Sequence, residues 1–180
     1  TSPYKFYQYW INVADDDAGQ CLRFLTDLTI QEIEALDKSR EEEPHRRQSQ
    51  KMLAESVTSL VHGDAGLKSA LKATDLLFGA EIENLTDSEL LEIFADVPSV
   101  EISRDRLSGG ELSMIDVLVE SGLCTSKGES RRTIEQGGGY VNNRRVDSLD
   151  RVLSIDDLAS ETVVVLRRGK KKFALARFPS

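Results

Sequence analysis

The chain has few of the residues that build metal sites or disulfide frameworks. It contains two cysteines, Cys21 and Cys124, and two histidines among 180 residues, with no Cys-x-x-Cys spacing. These counts predict two reduced thiols with packing roles and argue against a structural zinc site. The chain also has no apolar run near the ~18 residues of a membrane span and no signal-peptide pattern. We therefore expect an aqueous, cytoplasmic location and no membrane partner.

The sequence also lacks a recognisable catalytic group. His45 and His62 have no nucleophile beside them in the chain. The triple glycine over 137–139 has neither GxGxxG spacing nor a Gly-Lys-Ser/Thr ending, so it predicts a helix end and a close strand approach rather than a nucleotide-binding loop. We expect no catalytic residue, no metal ligand and no cofactor in this chain.

Acidic residues outnumber basic ones, and the formal charge is −8. Residues 1–110 carry 11 Lys and Arg against 21 Asp and Glu, a net −10, whereas residues 111–180 carry 12 against 10, a net +2. Because a polyanion binds to local clusters of basic side chains, the negative charge of the whole chain does not exclude a nucleic-acid partner. Such clusters occur in the C-terminal part.

Residues 1–97 are predicted to form an all-helical bundle. Apolar side chains recur at helical intervals through this part, and Thr29 with Glu32 has the spacing of a capping box. Gly63 is expected to end one helix, and Asp64 to cap the next. We therefore expect helices, and no strands, in the first domain.

Residues 98–111 combine Pro, Ser, Gly and alternating charges without periodicity, which is typical of a linker. Residues 112–180 predict a small α+β domain with two helices and a few short antiparallel strands. Ser126 is expected to cap the second, basic helix, with Glu129 bonding back to the cap and Gly137 ending it. The second domain thus presents a short basic helix that leads into a hairpin.

Basic side chains of this domain gather around one helix and two turns. The first turn is predicted at Asn142 and Asn143, and Arg167 and Arg168 precede the second. Each cluster alone is more often a solvated face, but clusters that converge on one end of a small domain make a phosphate-binding surface. We expect RNA contacts from Ser126, Lys127, Arg131, Arg132, Asn142, Arg144, Arg145, Lys170, Lys171 and Lys172.

A run of three aspartates, Asp15, Asp16 and Asp17, follows the aromatic first helix. Three consecutive carboxylates cannot all face one point on a helix, which argues against a divalent metal site and favours helix capping with a solvated acidic corner. A third interpretation is that one carboxylate recognises an unpaired guanine. Its oxygens would accept hydrogen bonds from the ring N–H and the amino group of that base.

Four stretches resemble the C-terminal half of bacterial-type tyrosyl-tRNA synthetases, in the same order and at similar separations. They are Thr1–Asn12, Leu60–Gly63, Tyr140–Asn142 and Arg167–Lys172. The resemblance covers essentially the whole chain and implies a helical anticodon-binding domain followed by an RNA-binding domain of the ribosomal-protein S-four type. Because the first residue is Thr rather than Met, we expect the chain to be part of a longer protein.

The resemblance implies a tyrosine–tRNA ligase, a class I aminoacyl-tRNA synthetase whose upstream Rossmann-type domain uses ATP with magnesium and forms the homodimer. This chain has none of the motifs of that domain, so no tyrosine activation is expected from it. The implied partner is tyrosine tRNA, gripped at its anticodon stem and long variable arm by the S-four-type domain. By position, Asp15 or Asp17 is the candidate for recognising the first anticodon base. Many family members have Asn-Gly where this chain has Asn142-Asn143, and since Asn tolerates positive φ the turn is expected to form.

Two other classes of protein use similar domains. One is a non-enzymatic RNA-binding or ribosome-associated assembly module, and the other is an RNA-modifying enzyme with an S-four-type domain. The aromatic first helix and the Leu60–Gly63 segment argue against the second. A HIGH-type and a KMSKS-type motif upstream of Thr1 would decide for the ligase.

Overall fold

A computed structural model describes all 180 residues and divides them into two compact units, Thr1–Thr74 and Asp75–Ser180. The sequence predicts the boundary after residue 97 instead. The two differ because the segment 75–97 packs its apolar side chains against the sheet of the second unit, where Leu90 is fully buried. Helical periodicity identifies such a helix but does not identify the surface that it covers.

Helices build the first unit, which confirms the predicted helical N-terminal part. They are α1 (Pro3–Ile11), α2 (Asp15–Leu25), α3 (Ile30–Glu42) and α4 (Gln48–Leu77), with a 3-10 turn at Pro44–Arg46. Ser2 caps α1 by accepting a hydrogen bond from the Lys5 N–H at 3.2 Å. Thr29 and Glu32 form the predicted capping box of α3, so local sequence defines where these helices begin.

Helix α4 is kinked at Gly63, whose φ of +72° departs from helical geometry. The predicted helix end at this residue is confirmed, because Gly63, with ψ of 175°, separates the span of α4 into two helical segments joined at a kink. The Asp64 carboxylate, predicted to cap the following segment, accepts a hydrogen bond from Ser59 Oγ at 2.6 Å. On the inner side of α4, Leu53 and Val57 pack with Leu22 of α2.

A five-stranded sheet forms the centre of the second unit. Its strands are β1 (Ser99–Glu101), β2 (Gly139–Val141), β3 (Arg144–Arg145), β4 (Val163–Arg168) and β5 (Lys172–Arg177). They lie in the order β1-β5-β4-β2-β3, and every neighbouring pair is antiparallel except β1 with β5. The predicted helix-plus-sheet architecture is confirmed, whereas the parallel edge strand was not expected.

Helices cover the two faces of this sheet. They are α5 (Asp87–Ile93), α6 (Arg104–Ser108), α7 (Met114–Glu120) and α8 (Lys127–Glu135). On one face, Leu118 of α7 and Ile134 of α8 pack in one core with Leu166 of β4. On the other face, Leu90 of α5 packs with Val165 of β4. Strand β4 is therefore buried on both sides, which explains its continuous run of apolar residues.

The segment predicted as a linker, 98–111, is folded. It contains β1 and α6, and the Ile102 N–H donates to the Arg177 carbonyl oxygen at 2.9 Å. Ile102 and Leu107 are buried in the core of the second unit. A three-residue strand has no periodicity that a sequence pattern can reveal, because its stability comes from the edge of the sheet on which it pairs.

Both cysteines are free thiols, as predicted, with Cys124 buried and Cys21 partly buried. No helix in the structure combines the length and the apolar character that crossing a bilayer requires.

Candidate nucleic-acid interface

Helix α8 is anchored by one face and presents basic side chains on the other. Ser126 caps it as predicted, its Oγ accepting from the Glu129 N–H at 3.2 Å. Thr133 and Ile134 are buried against the domain, whereas Arg131 and Arg132 are exposed. The short helix therefore directs two neighbouring guanidinium groups to solvent.

Glu129 holds the start of α8 in a different way from the one predicted. Its Oε2 accepts from the N–H and the hydroxyl of Thr125, at 2.6 and 2.8 Å, and its Oε1 forms an ion pair with Arg168 at 2.8 Å. These contacts, the backbone hydrogen bond from Thr125 first, lower the pKa of Glu129 to about 2. The sequence predicted that the Glu129 side chain bonds back to Ser126. In the structure it bonds to Thr125, one residue earlier in the chain.

The cations of α8 differ in how far they are neutralised. Lys127 Nζ lies 2.7 Å from Asp116 Oδ1. The hydrogen bond from Lys127, followed by one from Ser113, lowers the pKa of the Asp116 carboxyl, so Asp116 is a carboxylate over the whole neutral range. Arg131 and Arg132 make no ion pair or hydrogen bond through their side chains. They are the two basic groups of the helix with their full charge available to a ligand.

The hairpin turn between β2 and β3 forms at Asn142 and Asn143, as predicted, with φ values of +50° and +63°. Both side chains are buried. Asn143 donates to the carbonyl oxygens of Leu76 and Ala80, each at 2.7 Å. Through these bonds the hairpin holds residues 76–80, which belong to the second unit.

Asn142 has a structural role that the sequence did not indicate. Its Oδ1 accepts from the Val165 N–H at 2.9 Å and its Nδ2 donates to the Asp157 carbonyl oxygen at 2.6 Å. Because both polar ends of the amide are used inside the domain, the expected RNA contact from this side chain is corrected: Asn142 fixes the turn instead.

Arg144 and Arg145 extend from the hairpin into solvent, each 58% exposed. Arg144 Nη2 lies 3.1 and 3.2 Å from the carboxylates of Glu83 and Glu81. Arg145 pairs with Asp147 at 3.2 Å. Exposed ion pairs of this kind are weak, so both arginines remain available to a stronger anionic partner.

The basic stretch around the β4–β5 turn divides into three groups. Arg167 is buried over the Tyr140 ring at 3.8 Å with no carboxylate beside it, and this desolvation lowers its pKa. Arg168 donates to the Leu123 carbonyl oxygen at 2.8 Å and pairs with Glu129, so it supports the start of α8. The exposed members of the stretch are Lys170, Lys171 and Lys172.

The three clusters meet at one end of the second unit. The β4–β5 turn is joined to the segment after α8 by a hydrogen bond of 2.8 Å from the Gly169 N–H to the Gly138 carbonyl oxygen. The guanidinium of Arg145 lies so close to Gly137 that a Cβ there would fall 2.2 Å from its Nη2. Glycine at the end of α8 therefore makes room for Arg145 as well as adopting φ +70°.

The first unit carries a groove lined by α1, α2 and their connection. The groove is open to solvent and has a volume of about 670 Å³. Asp17 lines it together with Tyr9, Trp10, Asn12 and Gln20. The Tyr9 side chain is 69% exposed. An aromatic ring and a carboxylate along one groove match what an unpaired base requires, namely a surface for stacking and an acceptor for its N–H groups.

The two anticodon candidates differ in this structure. Asp15 Oδ1 accepts a hydrogen bond from Gln50, a fully buried residue of α4, whereas Asp17 lines the groove. The sequence predicted Arg167 as part of the basic cluster at the second turn but did not single out Gln50 or Tyr140. Burial of Gln50 and the cross-strand pairing of Tyr140 with Arg167 are tertiary features that no local pattern displays.

Two family models match the chain. Residues 1–79 match the class I tRNA synthetases for Trp and Tyr, and residues 89–176 match the tyrosine–tRNA ligase SYY-like C-terminal domain. The tyrosine–tRNA ligase of Rhodopirellula baltica is 49% identical over 177 residues, and that of Roseiflexus castenholzii is 43% identical over 177 residues. The chain belongs to the tyrosyl-tRNA synthetase family.

The alignments with these synthetases cover 98% of this chain and 40% and 42% of the two relatives. The chain thus spans about two fifths of the length of the curated synthetases it matches. Among solved structures, a tyrosyl-tRNA synthetase C-terminal domain aligns with a TM-score of 0.43 at 34% identity, covering 57% of this chain and 98% of that domain. The family resemblance inferred from the four sequence stretches is confirmed.

Proposed function

We propose that this chain recognises tyrosine tRNA for a tyrosine–tRNA ligase. The observation that carries the proposal is the convergence of Arg131 and Arg132 with Arg145 and the lysines of the β4–β5 turn, in a protein of net charge −8. Clustered cations on one end of an acidic protein favour a polyanion at that place. The relatives that align over almost the whole chain are named tyrosine–tRNA ligases, which supports tRNA as that polyanion.

We further infer that the sheet and helices of the second unit form a domain of the S-four type. The supporting features are the capped basic helix α8, its glycine end and the hairpin that follows. In this assignment α8 and the adjacent turn hold the anticodon stem and long variable arm. Their cations contact phosphates, so they position the RNA without selecting its sequence.

In the first unit, we propose Asp17 rather than Asp15 as the residue that recognises the first anticodon base. Asp17 lines the open groove, whereas the Asp15 carboxylate is already bonded to Gln50. A carboxylate near RNA repels phosphate, and this repulsion is offset only where the oxygens accept from a base edge. The groove therefore selects for guanine, whose N1–H and amino group can both donate.

The catalytic step is assigned to a part of the ligase beyond these 180 residues. Family membership supports ATP with magnesium as its cofactor, a homodimer formed by that part, and a cytoplasmic location. The chain's own contribution is to bind and orient the tRNA.

Competition binding with tyrosine tRNA transcripts tests the proposal. The labelled RNA is the intact transcript, and the competitors are a transcript without the variable arm, one with a changed anticodon and an unrelated structured ribosomal RNA fragment. We expect the intact tRNA to bind most tightly and each single change to weaken binding. Equal competition by the ribosomal fragment would contradict the proposal and favour a general RNA-binding or assembly module.

A further inference from the structure

The groove of the first unit includes the connection between α1 and α2. Asn12, Val13 and Ala14 lie in this connection and line the groove, and Asp17 follows in the first turn of α2. The direction in which Asp17 faces a ligand therefore depends on how the connection and the first turn of α2 are held.

Local contacts hold only the first half of the connection. Asn12 donates from its side chain to the Gln8 carbonyl oxygen at 2.8 Å, and the N–H groups of Asn12 and Val13 donate back to α1, each at 3.3 Å. Ala14 occupies the N-cap position of α2 and provides no side-chain hydrogen bond. The first turn carries three aspartates, Asp15, Asp16 and Asp17, which interact favourably with the helix dipole but repel one another. The part of the segment that lacks a local side-chain contact is therefore the junction at Ala14 with the start of α2.

The start of α4 contacts this segment. Gln50 Nε2 donates to Asp15 Oδ1 and, at 3.4 Å, to the Val13 carbonyl oxygen. Arg47 Nη2 donates to the carbonyl oxygens of Ile11 at 2.9 Å and Val13 at 3.4 Å. One buried amide and one guanidinium thus tie down the connection from its beginning to the first residue of α2.

The hydrogen bonds of Gln50 are directed to one side only. Gln50 is fully buried, yet its Oε1 has no hydrogen-bond partner, so only its donor end is used. An apolar residue at this position removes the unsatisfied Oε1, and the two acceptors that lose Gln50 belong to exposed Asp15 and half-buried Val13, where water can replace the bonds. Both donated bonds go to the segment that lines the groove.

We propose that Gln50 is a positioning residue for base recognition: it does not touch RNA, but its amide holds the α1–α2 connection so that Asp17 faces the groove. Arg47 supports the same connection from its solvent side. The inference rests on the proposed function, because it assigns Gln50 a role in the selectivity of that groove.

Gln50→Met is the decisive variant, since Met keeps the length of the side chain and removes both donated bonds. Ser49→Ala is the matched control. Ser49 is equally buried on the same turn of α4, but its hydroxyl bonds to Leu36 and Arg40 of α3. Asp17→Asn measures the contribution of the proposed contact between the Asp17 carboxylate and the base. All variants are made in the 180-residue chain, and thermal unfolding confirms that each is folded.

Two measurements are made on every variant. The first is the ratio of Kd values for two tyrosine tRNA transcripts that differ only in adenine or guanine at the first anticodon position. The second requires no RNA: acrylamide quenching of Trp10, the single tryptophan of the chain, which lines the groove. Quenching reports whether the groove wall has moved.

We expect Gln50→Met to lower the preference for guanine by about fivefold, towards the value for Asp17→Asn, and to increase quenching of Trp10. Ser49→Ala should change neither. If Gln50→Met leaves both readouts at the wild-type values, or if Ser49→Ala matches its effects, the inference is wrong.

The proposed function fails in a distinguishable way. If the wild-type chain shows no preference for guanine and Asp17→Asn changes nothing, base recognition by the groove is excluded, whatever the quenching of Trp10 shows. The role of Gln50 in selectivity is then excluded as well. A preference for guanine that is lost in Asp17→Asn and kept in Gln50→Met overturns the inference alone.

Discussion

The second unit surrounds α8 with exposed cations, whereas the first unit lines a groove with an aromatic ring and an aspartate. The cations suit phosphates, which occur at every nucleotide, and the aspartate suits a base edge, which differs between nucleotides. In the proposed function, an acidic protein engages RNA through two different surfaces. Arg131 and Arg132, which have no ion pair, lie at the same end of the second unit as Lys170, Lys171 and Lys172, and the Asp17 carboxylate is assigned to base selection.

The two surfaces also differ in what supports them. Around α8, support comes from ion pairs and hydrogen bonds at nearby turns, such as Glu129 with Arg168 and Gly169 with Gly138. At the groove, support comes from buried Gln50 of a separate helix. Substitutions near α8 should therefore change affinity, and substitutions near the groove should change selectivity.

The largest effect is expected from removing the two unpaired cations of α8. Arg131→Ala combined with Arg132→Ala should weaken tRNA binding by about 2 kcal/mol, roughly thirtyfold in Kd, and for all anticodon variants alike. The slope of log affinity against log salt should fall in magnitude by about 1.8, because two phosphate contacts are lost.

Lys38→Ala combined with Arg46→Ala in the first unit is the charge-matched control for this pair, since both residues are exposed and remote in sequence from the proposed contacts. Equal losses from the two double variants would show that net charge, and not the surface of α8, determines binding.

A smaller and selective effect is expected at the groove. Asp17→Asn should reduce the preference for guanine over adenine at the first anticodon position by roughly tenfold, because an amide offers one acceptor where the carboxylate offers two. Parallel titrations with both transcripts at several salt concentrations measure it. The salt slope should stay unchanged, and Asp15→Asn should have less effect than Asp17→Asn.

Lys127 should matter less than its neighbours on α8. Its Nζ is already paired with Asp116, so Lys127→Ala should weaken tRNA binding by only about two- to threefold, against a larger loss for Arg131→Ala. Asp116→Asn, which releases the lysine, should strengthen binding slightly. A loss for Lys127→Ala as large as that for Arg131→Ala would show that the ion pair breaks in the complex.

The smallest expected effect concerns stability at acid pH. The folded-state pKa of Glu129 is about 2, below its ordinary value of 4.5, so its contacts stabilise the fold above pH 4.5 and are progressively lost as the pH falls towards 2. The unfolding temperature of Glu129→Gln should therefore depend less steeply on pH than that of the wild type between pH 4.5 and 2. Identical pH profiles would exclude a stabilising role for this carboxylate.

Local sequence was sufficient to predict the elements whose geometry depends on neighbouring residues. Ser126 as the cap of α8, Gly137 as its end and the turn at Asn142-Asn143 all occur where predicted. Each depends on a side chain that bonds within a few residues or on a φ value that the residue type favours. The residues that make up the basic clusters were likewise predicted from the sequence.

Long-range contacts explain the expectations that were wrong. Segment 98–111 is polar and aperiodic, yet it supplies β1 because an edge of the sheet is available beside it. Asn142 looked like a surface residue of a hairpin, but its amide bridges Val165 and Asp157. Neither partner is close enough in sequence for a pattern to reveal the contact.

By itself, the sequence determined the helical first part, the helix-plus-sheet second part, the family and the presence of basic clusters, since periodicity, capping residues and motifs are local. Only the tertiary structure decided which charges are free. It paired Lys127 and Arg168 with carboxylates, buried Arg167 over Tyr140 and left Arg131 and Arg132 without partners. Charge can be counted from residues, but its neutralisation depends on distances between groups that folding brings together.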